Sequence, residues 1–133
     1  IGHRGGWGEG KPENNLKAID FSIKNGAAFV EVDVQRTKDG KYILNHDSTF
    51  KRVAGDNRAS YEMDLKEIKD LDIGVNFGED YKGIKVPTVE ELLNHTKDKI
   101  GIYMELKGDT ADTKMADDVV KLIKEAGMEK KVV

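Results

Sequence analysis

Glu31 and Asp33 stand two residues apart in AFVEVDVQ (28–35). On a strand, that spacing projects both carboxylates from one face, about 6 to 7 Å apart along the backbone, so they can converge on one ion. Glu105 and Lys107 repeat the arrangement in IGIYMELK (100–107), with Ile102, Met104 and Leu106 on the opposing apolar face. Acidic groups beside apolar packing carry a desolvation cost unless a cation or partner offsets it. Three oxygen ligands on rigid strands suit a hard cation such as Ca²⁺ or Mg²⁺, completed by water and substrate oxygens. A solvated sheet face shows the same alternation of charge, so the pattern alone leaves both readings open. His46 ends the segment KYILNHD (41–47), and His3 and Arg4 open the glycine-rich stretch GHRGGWGEGKPENN. One histidine at a strand end is usually structural; two beside an acidic set shift the reading toward chemistry.

The elements that must hold these residues alternate between strand and helix signals, which argues for an α/β protein. Ile1 to Arg4 reads as the tail of a strand. The spacing predicts a helix from about Asn15 to Asn25, capped by Asn15, with Leu16, Ile19 and Ile23 on one face and Gly26 ending it. The strand over 28–35 places Val30, Val32 and Val34 on one face and Phe29, Glu31, Asp33 and Gln35 on the other. A turn at Lys38-Asp39-Gly40 leads to a strand over 41–47. The connection is far shorter than an ordinary parallel crossover, which leaves room for a local hairpin; one centred on Asp39 and Gly40 is expected to set His46 opposite Asp33, and either geometry brings His46 toward the acidic pair.

From 48 to 85 the periodicity weakens and the segment reads as an insertion, broken by a short helix over 64–71 with a capping box at Asp64 and Glu67. Thr88 and Glu91 repeat the box before a helix ending at Thr96. A strand over 100–107 follows, then an amphipathic helix from Met115 to Ala126 ended by Gly127, and a final KKVV that looks like a strand beginning. His95, among polar neighbours on its helix, reads as surface. Glycines 5, 6, 8 and 10 match neither dinucleotide nor P-loop templates. Trp7 suits a loop cover or a ligand contact equally, and Phe50, Phe77 and Tyr81 read as packing within the insertion.

A chain of 133 residues is long enough for one domain with a core. Its 22 Lys plus Arg against 25 Asp plus Glu give a formal net charge of -3 with both signs interspersed, which offers no electrostatic footprint for nucleic acid or anionic membrane. The absence of cysteine excludes disulfides, thiolate metal sites and Cys nucleophiles. No apolar run approaches the roughly 20 residues of a membrane helix, so no integral membrane segment is expected. A soluble protein, cytoplasmic or exported, fits this composition.

The ordered set His3-Arg4-Gly5, Pro12-Glu13-Asn14, Glu31-Val32-Asp33, His46-Asp47 and Glu105-Leu106-Lys107 resembles the glycerophosphodiester phosphodiesterase family, and DSTFKR and KVPTVEELL extend the resemblance across essentially the whole chain. The resemblance implies a TIM (β/α)8-type barrel of the PLC-like phosphodiesterase architecture. It implies Glu31, Asp33 and Glu105 as ligands of one divalent cation, His3 and His46 as the catalytic acid/base pair, and Arg4 and Lys107 as phosphate-binding cations. The implied reaction is hydrolysis of a glycerophosphodiester to an alcohol and sn-glycerol 3-phosphate. The chemistry agrees: a divalent ion with Arg and Lys neutralises charge developing on a phosphodiester, and histidines with a pKa of about 6.5 exchange protons near neutral pH.

The chain departs from the family pattern in having Asn15 where Thr usually follows the PEN segment, a change between two good caps. It also departs in length, because a (β/α)8 barrel takes about 250 residues. The 133 residues are therefore expected to be the N-terminal part of a single barrel domain that needs its C-terminal half, or a second copy, to cover exposed strand edges. A sphingomyelinase D-like phospholipase is the nearest rival reading. A noncatalytic barrel fragment that binds metal or phosphate is the other.

Overall fold

The computed structural model describes residues 1–133. Helix α1 (Leu16–Lys24) begins where the Asn15 side chain accepts a hydrogen bond from the Ala18 N–H, as the cap rule requires. It buries Ala18 and Ile19 and ends ahead of Gly26, whose φ of 77° is the left-handed value that favours glycine. Strand β1 (Phe29–Arg36) follows, its Val30, Val32 and Val34 fully buried.

The hairpin to β2 (Tyr42–Leu44) differs from the expected one. Val34 pairs with Leu44, Gln35 with Ile43 and Arg36 with Tyr42. Thr37 N–H donates to Lys41 O at 2.8 Å and Gly40, at φ 77°, closes the turn onto Thr37 O. The loop thus has three residues, Lys38, Asp39 and Gly40, a turn plus a left-handed glycine, in place of the expected two-residue loop. Each partner shifts by one: Asn45, not His46, lies across from Asp33, donating its N–H to Asp33 O at 3.0 Å. β2 is also shorter than 41–47, because beyond Leu44 the chain leaves the ladder.

β3 (Gly101–Leu106) pairs in parallel with β1 along its whole length, with Glu31 beside Tyr103 and Asp33 beside Glu105. On the other edge of β3, Val132 forms a parallel bridge to Ile102, so KKVV does begin a strand. The N-terminus is less strand-like than its sequence suggests. Only Gly2 joins the ladder, in parallel with Val30, and His3–Gly5 turns at once into a 3-10 helix. Gly2, β1, β3 and the final residues are consecutive parallel neighbours, and α1 fills the first connection. Between β1 and β3 lie β2, two short helices, α2 (Lys51–Ala54) and α3 (Leu65–Lys69), and α4 (Val89–Thr96); α5 (Thr113–Glu125) fills the last connection. This is the succession of a partial (β/α)8-type barrel.

One core lies between the strands and the longer helices, where Val30, Val32, Val34 and Ile102 meet Ile19, Leu92, Leu93 and Met115. The Thr88 hydroxyl caps α4 at Glu91 N–H (3.0 Å), while the Glu91 carboxylate accepts from Thr88 N–H (3.1 Å). The 48–85 excursion has a core of its own. Phe50, Val53, Met63, Ile68, Ile73 and Ile84 cluster with Ile43 and Val86. To this core α2 contributes Val53 and α3 contributes Ile68. The ends of the excursion meet, because Leu44 N–H donates to Pro87 O at 3.1 Å. Phe50 is a core residue, Phe77 and Tyr81 pack against the same cluster, and Trp7 lies edge-on to Tyr81 with ring centroids 5.0 Å apart. No helix is long and apolar enough to cross a membrane.

Candidate active site

The parallel register sets Asp33 beside Glu105 on the face of the sheet away from the helices, with Glu31 one step earlier on the same face of β1. Glu31, Asp33 and Glu105 each offer an oxygen, and the three atoms lie within 4.8 Å of one another. Asp33 is fully buried. Its Oδ2 accepts from Asn14 Nδ2 at 3.1 Å, whereas its buried Oδ1 has no hydrogen-bond partner and only Lys107 Nζ, 4.0 Å away, as a counter-charge. Burial, opposed by the Asn14 hydrogen bond and reinforced by the Glu31 charge, raises the Asp33 carboxyl to about 6. Glu105 is more exposed and held below its ordinary value, first by the hydrogen bond that a protonated Asp33 would donate to it and then by the charge of Lys107. An orphaned buried carboxylate oxygen within a three-carboxylate set fits a hard divalent cation. The donor atoms do not distinguish Ca²⁺ from Mg²⁺.

The loop that opens the chain wraps onto this cluster. Arg4 N–H donates to Glu31 Oε2 at 3.0 Å, and His3 Nε2 lies 3.6 Å from the same oxygen, with its side chain 75% exposed. Arg4 sits at φ 49°, an uncommon value for a residue with a side chain and a mark of local strain. Asn14 also has a positive φ, 51°, which its short amide tolerates. There its Oδ1 accepts from Asp33 N–H (3.2 Å) while its Nδ2 holds the Asp33 carboxylate, so the PEN segment clamps a β1 carboxylate as well as shaping the loop. Two of the glycines have a steric reason. A Cβ on Gly6 would fall 1.9 Å from Ser22 Oγ, and one on Gly2 2.5 Å from the same atom, which itself donates to Gly5 O.

His46 follows β2 by two residues. Its Nδ1 lies 2.9 Å from Asp47 Oδ1, and its Nε2 lies 3.0 Å from Arg4 Nη2. A guanidinium can only donate, so Nε2 is the acceptor and Nδ1 carries the proton that Asp47 accepts. Asp47 is fixed as a carboxylate: hydrogen bonds from Arg52, the foremost cause, hold it down to about 2. The structure therefore gathers His3, Arg4, Glu31, Asp33, His46, Glu105 and Lys107 at one end of the parallel strands. Lys107 Nζ is 3.4 Å from Glu105 Oε1, completing the set.

Two cavities flank the cluster. The larger, about 520 Å³, is bounded by His3, Arg4, Trp7, Glu13, Arg52 and Phe77. The smaller, about 170 Å³, lies between His46 and Lys107 and is lined also by Gln35, Ser48, Ser60 and Thr110. The contacts of Asn14, Asp47, Glu13 and Arg52 are not readable from the sequence. The Asx type and left-handed tolerance of Asn14, and the adjacency of Asp47 to His46, are the signals that bear on the first two. His95, which reads as surface in the sequence, is half-buried and paired with Asp20 of α1 at 2.5 Å, outside the cluster.

The sequence model of the glycerophosphoryl diester phosphodiesterase family matches residues 3–133. A glycerophosphodiester phosphodiesterase of Caldanaerobacter subterraneus is 35% identical over 135 residues, an alignment that takes in 100% of this chain and 55% of the relative. Among solved structures, a glycerophosphodiester phosphodiesterase from Agrobacterium tumefaciens superposes with a TM-score of 0.84 at 32% identity, over 98% of this chain and 54% of that one. A phosphodiesterase from Oleispira antarctica, determined in complex with the product sn-glycerol-3-phosphate, superposes at 0.80 with 28% identity, over 97% of this chain and 51% of that one. The chain spans about half the length of the first curated relatives it matches, 50% of one and 55% of another.

Proposed function

The chain belongs to the glycerophosphoryl diester phosphodiesterase family, and from that premise we propose that it carries the catalytic constellation of a metal-dependent hydrolase. Its substrates are glycerophosphodiesters and its products an alcohol and sn-glycerol 3-phosphate. The observation that carries the reading is the convergence of three carboxylates, one with a buried orphaned oxygen, beside two histidines, an arginine and a lysine. The product held by the Oleispira antarctica phosphodiesterase supports the same substrate class.

Glu31, Asp33 and Glu105 hold one divalent cation, Ca²⁺ or Mg²⁺. When bound, that ion supplies neutralising charge to the phosphoryl oxygens and polarises the phosphorus centre. Arg4 and Lys107 orient the phosphodiester from either side of the carboxylates. The Arg4 Nε is buried and has no hydrogen-bond partner. His3 and His46 divide the proton transfers: one takes a proton from the attacking water as its oxygen bonds to phosphorus, and the other delivers one to the alkoxide released as the phosphorus–oxygen bond to the alcohol breaks. His46 has the better defined geometry, with Asp47 on its Nδ1 and the Arg4 guanidinium on its Nε2 lone pair, a contact that a phosphodiester engaging Arg4 would release. The strands that close the barrel come from a C-terminal half or a second copy. The half-buried Phe29 and Tyr103, whose rings lie 4.9 Å apart on the side away from the helices, are the surface they would cover.

Phosphorus NMR of glycerophosphocholine incubated with the protein and Ca²⁺ or Mg²⁺ tests this reading, with EDTA and His46→Ala as controls and an intact-mass check of the chain. Glycerol 3-phosphate that forms with metal and not with EDTA is the expected result. His46→Ala is expected to lower the rate by roughly 10²- to 10⁴-fold, the contribution of a positioned acid–base group, at unchanged melting temperature. Undiminished turnover by that variant would overturn the assignment, and a cyclic phosphate product would move it to the phospholipase D type.

A further inference from the structure

Five side chains around the site close into a ring. His46 Nδ1 meets Asp47 Oδ1 (2.9 Å), and Asp47 receives Arg52 through Nε on Oδ2 (2.9 Å) and Nη2 on Oδ1 (3.0 Å). The third Arg52 nitrogen, Nη1, donates to Glu13 Oε1 (2.7 Å). Glu13 accepts from Arg4 Nη1 (3.2 Å to Oε2), and Arg4 Nη2 returns to His46 Nε2 at 3.0 Å. Two guanidinium groups and two carboxylates balance, so the ring is neutral while His46 is neutral.

We propose that Arg52 is a positioning residue that fixes the tautomer and orientation of His46 by clamping Asp47 and Glu13 at the same time. The inference rests on the reading of His46 as an acid–base group, and it adds a residue outside that constellation.

Arg52 can do this because its backbone is anchored. It lies on α2 between Phe50 and Val53, both buried in the core of the excursion, while its guanidinium reaches back over the site. Asp47 alone is a poor fixture. It follows β2 on an irregular stretch, and its carboxylate could rotate away from the imidazole. Paired through two guanidinium nitrogens it has one orientation, and it stays ionised throughout the working pH range. The remaining nitrogen ties the same guanidinium to Glu13 and hence to Arg4, so both neighbours of the His46 ring are held from one point. A lysine has a single ammonium and cannot reproduce the fork.

The test reads the imidazole directly. Two-bond proton–nitrogen correlation spectra of ¹⁵N-labelled protein, taken at about pH 8.5 where an ordinary imidazole is neutral, assign the protonated nitrogen of His46. The wild-type protein is expected to carry the proton on Nδ1. Arg52→Gln is expected to mix in the Nε2–H tautomer and to lower kcat by roughly 10- to 100-fold, short of removing an acid–base group, with a smaller change in KM. Arg52→Lys, which keeps the charge and one carboxylate contact, is expected to fall between. It also gives the same readout should the Gln variant unfold. An unchanged Nδ1–H tautomer in both variants overturns the proposal, as does an unchanged kcat in a variant whose tautomer has moved. Because the spectrum needs neither metal nor substrate, a protein that failed to hydrolyse glycerophosphocholine would still reveal whether Arg52 holds His46.

Discussion

Removing the charge of Asp33 is expected to stabilise the metal-free protein while destroying its response to metal. The carboxyl is fully buried, with one oxygen on Asn14 and the other unpartnered, and its pKa rises from 3.8 to about 6, mainly through burial. The folded state therefore holds the proton more tightly than the unfolded chain does. Stability from this group is complete below the unfolded value of 3.8 and falls as pH rises through about 6. At about 1.36 kcal/mol per unit, the interval corresponds to about 3 kcal/mol lost in the metal-free protein at about pH 8. The amide introduced by Asp33→Asn keeps an acceptor for Asn14 and turns a donor toward Glu31 and Glu105, so the variant avoids that loss. Urea denaturation in EDTA should show Asp33→Asn more stable than wild type by up to about 3 kcal/mol at about pH 8, with the difference vanishing near pH 4. Ca²⁺ or Mg²⁺ at about 1,000 times its dissociation constant should then reverse the order, because a ligand at that level adds about 4.1 kcal/mol to the protein that binds it. A variant less stable than wild type in EDTA at about pH 8, or a difference independent of pH, would refute the reasoning that Asp33 is a buried charge awaiting a cation.

Gly6→Ala should cost about 2 kcal/mol or more, since φ is 101° and the new Cβ would lie 1.9 Å from Ser22 Oγ and 2.9 Å from the Gly2 backbone. Thermal denaturation reads this loss, and Gly8→Ala, where no atom lies within 4 Å, should cost less. Phe50→Ala, in the core of the excursion, is expected to cost about 3 to 5 kcal/mol in urea denaturation. Because α2 also carries Arg52, it should disturb the His46 spectrum as well.

The strands and helices that carry the site are legible because their signals are local. Alternation in FVEVDVQ sets the carboxylate face, and Asn15, Thr88 and Gly26 mark helix ends by the chemistry of single side chains. The hairpin register is not legible at the level of one residue. Lys38-Asp39-Gly40 suits either a two-residue loop or a three-residue loop with glycine in the left-handed position, and the Thr37–Lys41 pair that decides between them is weak in the sequence. His46 nonetheless reaches the site, since it belongs to the irregular stretch after β2, where side-chain contacts outweigh register. The contacts of Arg52 are hidden for another reason. Its partner Glu13 is 39 residues away, and only the packing of the excursion turns α2 toward the first loop.

The two faces of the sheet meet opposite demands. On the helix side, Val30, Val32, Val34 and Ile102 are covered within these 133 residues, so that half of the barrel wall is complete in packing terms. On the other side, polarity rises toward the site. Gly101 lets the Phe29 ring lie across β3, where a Cβ would come within 2.4 Å of it, and Tyr103 packs beside that ring. Glu31 lies beside Tyr103, Asp33 and Glu105 come one step further along, and Gln35 and Lys107 lie beyond. The aromatic pair needs apolar cover, which further barrel strands can provide. The carboxylate layer needs charge, which more apolar protein cannot supply, and burying it deeper without a cation would push Asp33 further up. Completion of the barrel and occupation of the cation site are therefore coupled in sign: closing the wall over an empty carboxylate cluster costs stability, and a bound cation lowers that cost. Metal should accordingly promote assembly of these 133 residues with whatever closes the barrel. Sedimentation in Ca²⁺ or Mg²⁺ against EDTA measures this, and association that is equal in both, or stronger in EDTA, would contradict the coupling.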